Sequence, residues 1–202
     1  MRAPAREAED ARRLGREREA LLAERIRHAT AILGWRPDEV VGRSYRMTLT
    51  YAGCRLSEAL ALTVDRVDLA AGVLTFESLK KRRDGVYCSV PVPPSLLEAL
   101  DMVHGIREQQ AGKGRGRGIQ LWPWSRMTGW RVVHDVMVAA RLEGPYASPK
   151  GLRHGFGVAA VSAGIPLNLV QKWLGHAQLT TTAIYADAVG AEEKDIARRM
   201  WD

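Results

Sequence analysis

The chain has 202 residues, 46% of them apolar and 26% charged, enough for one domain that removes about 70% of its unfolded surface from water without metals or disulfides, plus an appendage. No apolar run nears the roughly 18 residues of a membrane span, the charged start MRAPAREAEDARRLGRERE lacks the apolar stretch of a secretory signal, and only Cys54 and Cys88 could pair, so a membrane-embedded protein is excluded and a reducing cytoplasm is expected. Thirty Lys and Arg against 23 Asp and Glu give a net charge of +7, which suits a polyanionic partner, an acidic membrane face or merely a solvated basic surface.

Residues 1–34 are rich in Arg, Glu and Ala, with Leu14, Leu21, Leu22, Ile26, Ala29 and Leu33 at helical spacings. They predict an amphipathic helix, interrupted at Gly34-Trp35-Arg36-Pro37, where proline disfavours helix at the residue before it. Asp38 can cap a helix through residue 51 that Gly53 breaks. Ser57 opens a further helical stretch, EALALTVDRV. The β-branched and aromatic runs VLTF (73–76) and VYCSV (86–90) flank the polar, basic KKRRDG segment and predict a hairpin. Pro93-Pro94-Ser95 starts a helix through residue 107, and GKGRGRG (112–118) is a cationic loop. From Met127 onward, helical patterns alternate with breaks at Gly144-Pro145, Gly164-Ile165-Pro166 and Gly175-His176, with no strand. No internal repeat is visible. The expected fold is mainly α with a small antiparallel β-sheet. Residues 1–34 form an N-terminal appendage, 35–190 the main domain, and 191–202 a tail helix with Ile196, Met200 and Trp201 on one stripe.

Arg55, Lys80, Lys150, Arg153, His176 and Tyr185 stand where turns or helix starts would expose them. Spacing alone does not bring them together. The stretch AGCRLSEAL (52–60), however, resembles the first arginine box of the tyrosine recombinase (phage integrase) family. Lys150-Gly151-Leu152-Arg153-His154 resembles its His-x-x-Arg segment, and Leu174-Gly175-His176, followed nine residues later by Tyr185, resembles its ending. Order and spacing both match over about residues 45–190, and three ordered boxes are more specific than any single short motif.

The resemblance implies a tyrosine recombinase-like catalytic domain that cleaves one DNA strand through a 3′-phosphotyrosyl intermediate, without metal or other cofactor. A tyrosine hydroxyl titrates near 10, so its phenolate at neutral pH costs about 4 kcal/mol unless neighbours help. Charge gathers on the nonbridging phosphate oxygens during attack, and Arg55 and Arg153 suit the paired, planar hydrogen bonds that hold them. By the family pattern a hairpin lysine, Lys80 or its neighbour Lys81, protonates the departing 5′ oxygen, and His176 donates to a phosphate oxygen. Residues 180–182 then start a helix bearing Tyr185. The break at Gly175 is required, because nine residues on one helix would turn His176 and Tyr185 to opposite faces. Lys150 departs from the histidine usual in the family. Lowering a lysine from about 10.4 to 7 takes roughly 4 to 5 kcal/mol, so Lys150 is expected to stay charged and hold the phosphate.

Other residues have plainer expectations. Helical geometry aims His154 about 100° from Arg153, which predicts a packed or exposed role. Glu58 either orients Arg55 or is an early-helix charge. His28, His104 and His134 lack ligand spacing with either cysteine, which argues against zinc. Trp122, Trp124, Trp130 and Trp173 are expected in the core. The resemblance implies double-stranded DNA as partner and four protomers on two DNA segments, with the tail docking on a neighbour or packing in cis. It also implies a helical clamp domain ahead of the catalytic one. Residues 1–34 leave no room for that domain, so weak DNA binding alone, or help from a partner recombinase, is expected. The alternatives are a catalytic-domain-only DNA-binding or accessory protein that does not recombine, and an unrelated basic protein.

Overall fold

The computed structural model describes residues 36, 39–78, 85–114 and 116–185. The expected N-terminal helix, the Asp38 cap, Lys80 and Lys81, and the tail at 191–202 lie outside the described residues. Helix α1, Val40–Ala52, buries Val40, Ser44, Tyr45, Thr48, Leu49 and Ala52, an i, i+4, i+8 stripe that faces the core. It stops at Gly53, whose left-handed φ of 59° lets its N–H return to the Leu49 carbonyl. The core beneath is anchored by Trp122, fully buried, edge-on to Tyr45 at 5.2 Å with its indole N–H donating to Ser44 Oγ.

Helix α2, Leu56–Leu60, is one turn long. The helical pattern expected through residue 67 ends there, because Thr63 bridges Gln120, the Leu62 carbonyl accepts from the Leu121 N–H and the Val64 N–H donates to Ile119. The β-branched Thr63, Val64 and Val67 favour that extended pairing over continued helix. A 3₁₀ turn at Val64–Arg66 then leads into β1, Val67–Asp68, which pairs antiparallel with β2, Val73–Glu77. The hairpin formed by β2 and β3, Tyr87–Pro91, has the register Leu74↔Val90 and Phe76↔Cys88. The observed sheet, order β1-β2-β3, thus contains the expected hairpin and one additional short strand.

Helices α3, Pro94–His104, and α4, Ile106–Ala111, divide what the pattern predicts as one helix, because Gly105 adopts left-handed φ between them. Helix α5, Arg126–Ala139, is capped by Ser125, and α6, Pro149–Ser162, by Ser148, each accepting a backbone N–H three residues on; such caps satisfy donors that the helix itself cannot. Helix α7, Leu167–Leu174, ends at left-handed Gly175. The four-residue α8, Thr180–Ala183, follows. Tyr185 lies in the turn after α8 rather than on a helix, with its N–H on the Thr182 carbonyl. Trp130 also departs from expectation: it is 41% exposed and stacks on His134, one helical turn away. Among the described residues no helix is long and apolar enough to cross a membrane.

Candidate active site

The first arginine is set by the end of α1. Gly53 faces Phe156 of α6 so closely that a Cβ there would stand 2.3 Å from the ring, and α6 therefore packs directly on the loop that carries Arg55. Arg55 is the N-cap of α2. Its backbone N–H donates to Glu58 Oε2 at 2.7 Å, the glutamate half of a capping box, and its guanidinium Nη1 donates to Glu58 Oε1. The second arginine, Arg153 on α6, donates from Nη1 to the Gly53 carbonyl at 2.9 Å and from Nη2 to the Leu174 carbonyl at the end of α7. It lies 3.9 Å from Glu58 Oε2.

One carboxylate therefore sits between two guanidiniums, with the Glu58 side chain 7% and the Arg153 side chain 11% exposed. Burial pushes the Arg153 pKa down, and so does the neighbouring charge of Arg55; Glu58 and Tyr185 oppose the shift. The carboxylate offsets part of the repulsion that would otherwise spread the two cations. Cys54, beside Arg55, is fully buried, and burial followed by the nearby Glu58 charge raises its thiol above the ordinary range.

The loop between α7 and α8 completes the site. Val170, Leu174 and Tyr185 form a small apolar cluster apart from the main core, with Phe156 and Ile165 against it. The Tyr185 ring lies near-parallel to His176, 16° between planes and 6.3 Å between centroids. His176 Nδ1 is hydrogen-bonded to Thr182 Oγ1 at 3.0 Å, and Thr182 is fully buried. The turn that breaks the chain between Gly175 and Thr180 thus folds His176 back toward the tyrosine.

Of the six residues singled out in the sequence, Arg55, Arg153, His176 and Tyr185 converge. Arg55 and Arg153 share Glu58, Arg153 holds the carbonyl two residues before His176, and His176 faces Tyr185. Lys150 is exposed on the first turn of α6, one turn ahead of Arg153 and His154. Lys80 lies outside the described residues. The hairpin that would present it is tied to α7, where the Cys88 thiol of β3 donates to the Lys172 carbonyl.

His154, expected to be merely packed or exposed, touches the Tyr185 ring with centroids 5.3 Å apart. Residues 150, 153, 154 and 157 follow the i, i+3, i+4, i+7 rule for one helical face, a signal present in the sequence that comparison of neighbours by 100° steps overlooks. Glu58 proves to be the carboxylate that binds both arginines, and Thr182 the partner of His176; nothing in their local sequence marks the latter.

A family model described as the phage integrase family matches residues 19–191, and the chain belongs to that family. It is 36% identical over 159 residues to the tyrosine recombinase XerD of Mycobacterium tuberculosis, covering 74% of this chain and 48% of that protein; the chain spans about half the length of the curated relatives it matches. Among solved structures, the fold is similar to XerH site-specific recombinase bound to palindromic difH substrate in a post-cleavage complex, with TM-score 0.62 and 22% identity over 90% of this chain and 52% of that one. It is also similar to the catalytic domain of bacteriophage HP1 integrase, with TM-score 0.55 and 23% identity over 81% and 82% of the two chains.

Proposed function

We propose that this chain is the catalytic part of a site-specific DNA recombinase that cleaves and rejoins strands through a 3′-phosphotyrosyl intermediate on Tyr185. The observation that carries this reading is the approach of Tyr185 and His176 to a bracket of two arginines that are drawn from boxes one hundred residues apart. Fixed cations aimed at one point suit a reaction in which charge grows on a phosphate and little else need move.

In this mechanism Arg55 and Arg153 bind the nonbridging oxygens of one phosphodiester. The Tyr185 oxygen attacks phosphorus and gives up its proton to water, the bond to the 5′ oxygen breaks, and that oxygen leaves as a hydroxyl with a proton from Lys80 in the hairpin turn. His176 donates to a phosphate oxygen, and the Thr182 hydroxyl keeps its ring turned toward the site. Lys150 supplies a further positive group to hold the phosphate. Reversal of these steps by a 5′ hydroxyl from another strand rejoins the DNA. The phosphotyrosyl ester conserves the energy of the phosphodiester, so rejoining needs no high-energy cofactor, and the cationic side chains supply the charge stabilisation that a metal would otherwise give.

The basic surface, with net charge +7, suits double-stranded DNA. A complete exchange takes four protomers on two DNA segments. An apolar groove of about 910 Å³, lined by Tyr51, Met137, Leu152, Phe156, Ile165 and Trp173 among others, suits the apolar stripe of the tail at 191–202 of a neighbouring protomer. Incubation with a nicked DNA half-site followed by denaturing electrophoresis tests the enzyme directly. A covalent adduct is expected, and a protein that binds the DNA without ever forming one is an accessory factor instead.

A further inference from the structure

The ring of Tyr185 rests on a helix position that has no side chain. A Cβ built on Gly157 would come within 2.7 Å of Cε2 and Cζ of Tyr185 and 2.8 Å of Cε1. Gly157 lies seven residues beyond Lys150, four beyond Arg153 and three beyond His154, so the missing side chain opens a berth on the α6 face that carries them. Glycine inside a helix is disfavoured against alanine. Here the missing side chain leaves the space that the ring occupies.

His154 forms the side of that berth. Its ring is tilted by 54° against Tyr185 with centroids 5.3 Å apart, and on its other side it stacks on Tyr146, 27° between planes at 5.5 Å. Tyr146 belongs to the loop just ahead of α6, where the Gly151 position comes so close that a Cβ would overlap the Tyr146 carbonyl. His176 faces the tyrosine ring from the α7–α8 loop at 6.3 Å and 16°. The ring is thus bounded by backbone at Gly157 and by imidazoles at His154 and His176, with Tyr146 backing one of them.

We propose that His154, backed by Tyr146, and the bare backbone at Gly157 form a seat that holds the Tyr185 ring beside the arginine bracket, which makes His154 a positioning residue for strand cleavage. The inference rests on Tyr185 being the nucleophile. What His154 supplies is a flat, rigid surface, and its ability to titrate is not used. A displacement of the attacking oxygen by about 1 Å can slow a reaction by about a hundredfold, so the effect of losing the seat falls on the cleavage step and not on DNA affinity.

The test uses the full chain on a nicked duplex carrying a site recovered by covalent trapping. His154→Ala is expected to lower the single-turnover cleavage rate by about 10- to 100-fold with DNA affinity unchanged. His154→Phe, which keeps a flat ring, is expected to recover most of that loss with the wild-type pH profile. Gly157→Leu, which fills the berth, is expected to abolish cleavage and to lower the thermal midpoint by several degrees through the overlap, with the variant still folded at the assay temperature by circular dichroism. A phenylalanine variant no faster than the alanine variant, or an alanine variant as fast as wild type, overturns the proposal. A wild-type protein that forms no adduct overturns the parent reading and the role of the seat in cleavage together. The seat itself is read separately by 3-fluorotyrosine labelling of the five tyrosines, with the Tyr185 ¹⁹F resonance identified by its loss in Tyr185→Phe. His154→Ala and Gly157→Leu must each shift that resonance, and an unmoved resonance overturns the seat whatever the cleavage assay shows.

Discussion

Arg153 Nη1 donates to the carbonyl oxygen of Gly53 at 2.9 Å, across one hundred residues of chain. This contact joins the two arginine boxes, and it exists because Gly53 both ends α1 in a left-handed turn and lets Phe156 lie against its Cα. Gly53→Ala meets both obstacles at once. Left-handed backbone costs about 1–2 kcal/mol for an ordinary residue, and the overlap with Phe156 adds about 1–3 kcal/mol. Urea unfolding is expected to show a loss of about 2–5 kcal/mol with no change in slope; an unperturbed midpoint contradicts the contact.

Glu58→Gln tests the bracket. Glutamine preserves the shape and can still accept from the Arg55 N–H, but the negative charge between the guanidiniums disappears. Arg55 and Arg153 then repel across a site with little solvent, and a loss of about 1–3 kcal/mol in stability is expected. Cleavage in a single turnover should fall at least about tenfold, as two cations aimed at one phosphate lose their common anchor. A variant with wild-type rate and stability shows that Glu58 is only an early-helix charge.

Lys150 separates charge from proton transfer. If its role is to hold a phosphate, Lys150→Arg retains most of the cleavage rate, whereas Lys150→Ala binds DNA more weakly and its slope of log K against log salt falls by about one. The opposite pattern, in which Lys150→Ala keeps its DNA affinity but loses the acid-side limb of the pH–rate profile, where the rate climbs as a base deprotonates, assigns the proton acceptor to this lysine.

Stability should decline in alkali through two buried groups. Burial raises the Cys54 thiol from its ordinary value of 9.0, and burial likewise raises the Tyr45 hydroxyl from 10.0. The folded protein keeps both protons at a pH where the unfolded chain releases them. The contribution is therefore complete below about pH 9 and lost progressively above it, at up to about 1.4 kcal/mol per pH unit for each group. Denaturation at a series of pH values between 8 and about 11 measures the slope. Cys54→Ala is expected to flatten its first part and Tyr45→Phe its later part, while identical slopes in all three proteins contradict the burial of these groups.

The sequence was most legible where local chemistry decides the structure. The hairpin of β2 and β3 follows from two β-branched runs around a polar turn, and the ends of α1 and α7 from Gly53 and Gly175. The early end of α2 is hidden because Thr63 and its neighbours pair with residues 119–121, and β1 because Val67 and Asp68 pair with Leu74 and Val73, tertiary choices that override the helical pattern. The split between α3 and α4 at Gly105 was missed for a different reason: a glycine inside a helical pattern does not by itself say whether the helix continues. In the site, motif order pointed to Arg55, Arg153, His176 and Tyr185, while convergence could come only from the fold. The 100° divergence of neighbours on a helix predicts no contact between His154 and the site, yet the tyrosine reaches α6 at Gly157, one turn beyond, where a ring can touch residues on both sides of the stripe.

The most direct measurement is the identity of the linked atoms after trapping with pooled genomic DNA. Wild-type protein is isolated under denaturing conditions, digested with protease and nuclease, and the residual nucleotide-bearing peptide is sequenced by mass spectrometry. A single peptide in which Tyr185 carries a 3′-phosphate, with free 5′ hydroxyls on the released strands and no adduct from Tyr185→Phe, is the predicted result. A nucleotide on another residue, a 5′ linkage, or an adduct that survives Tyr185→Phe contradicts the assembly of this site around one scissile phosphate.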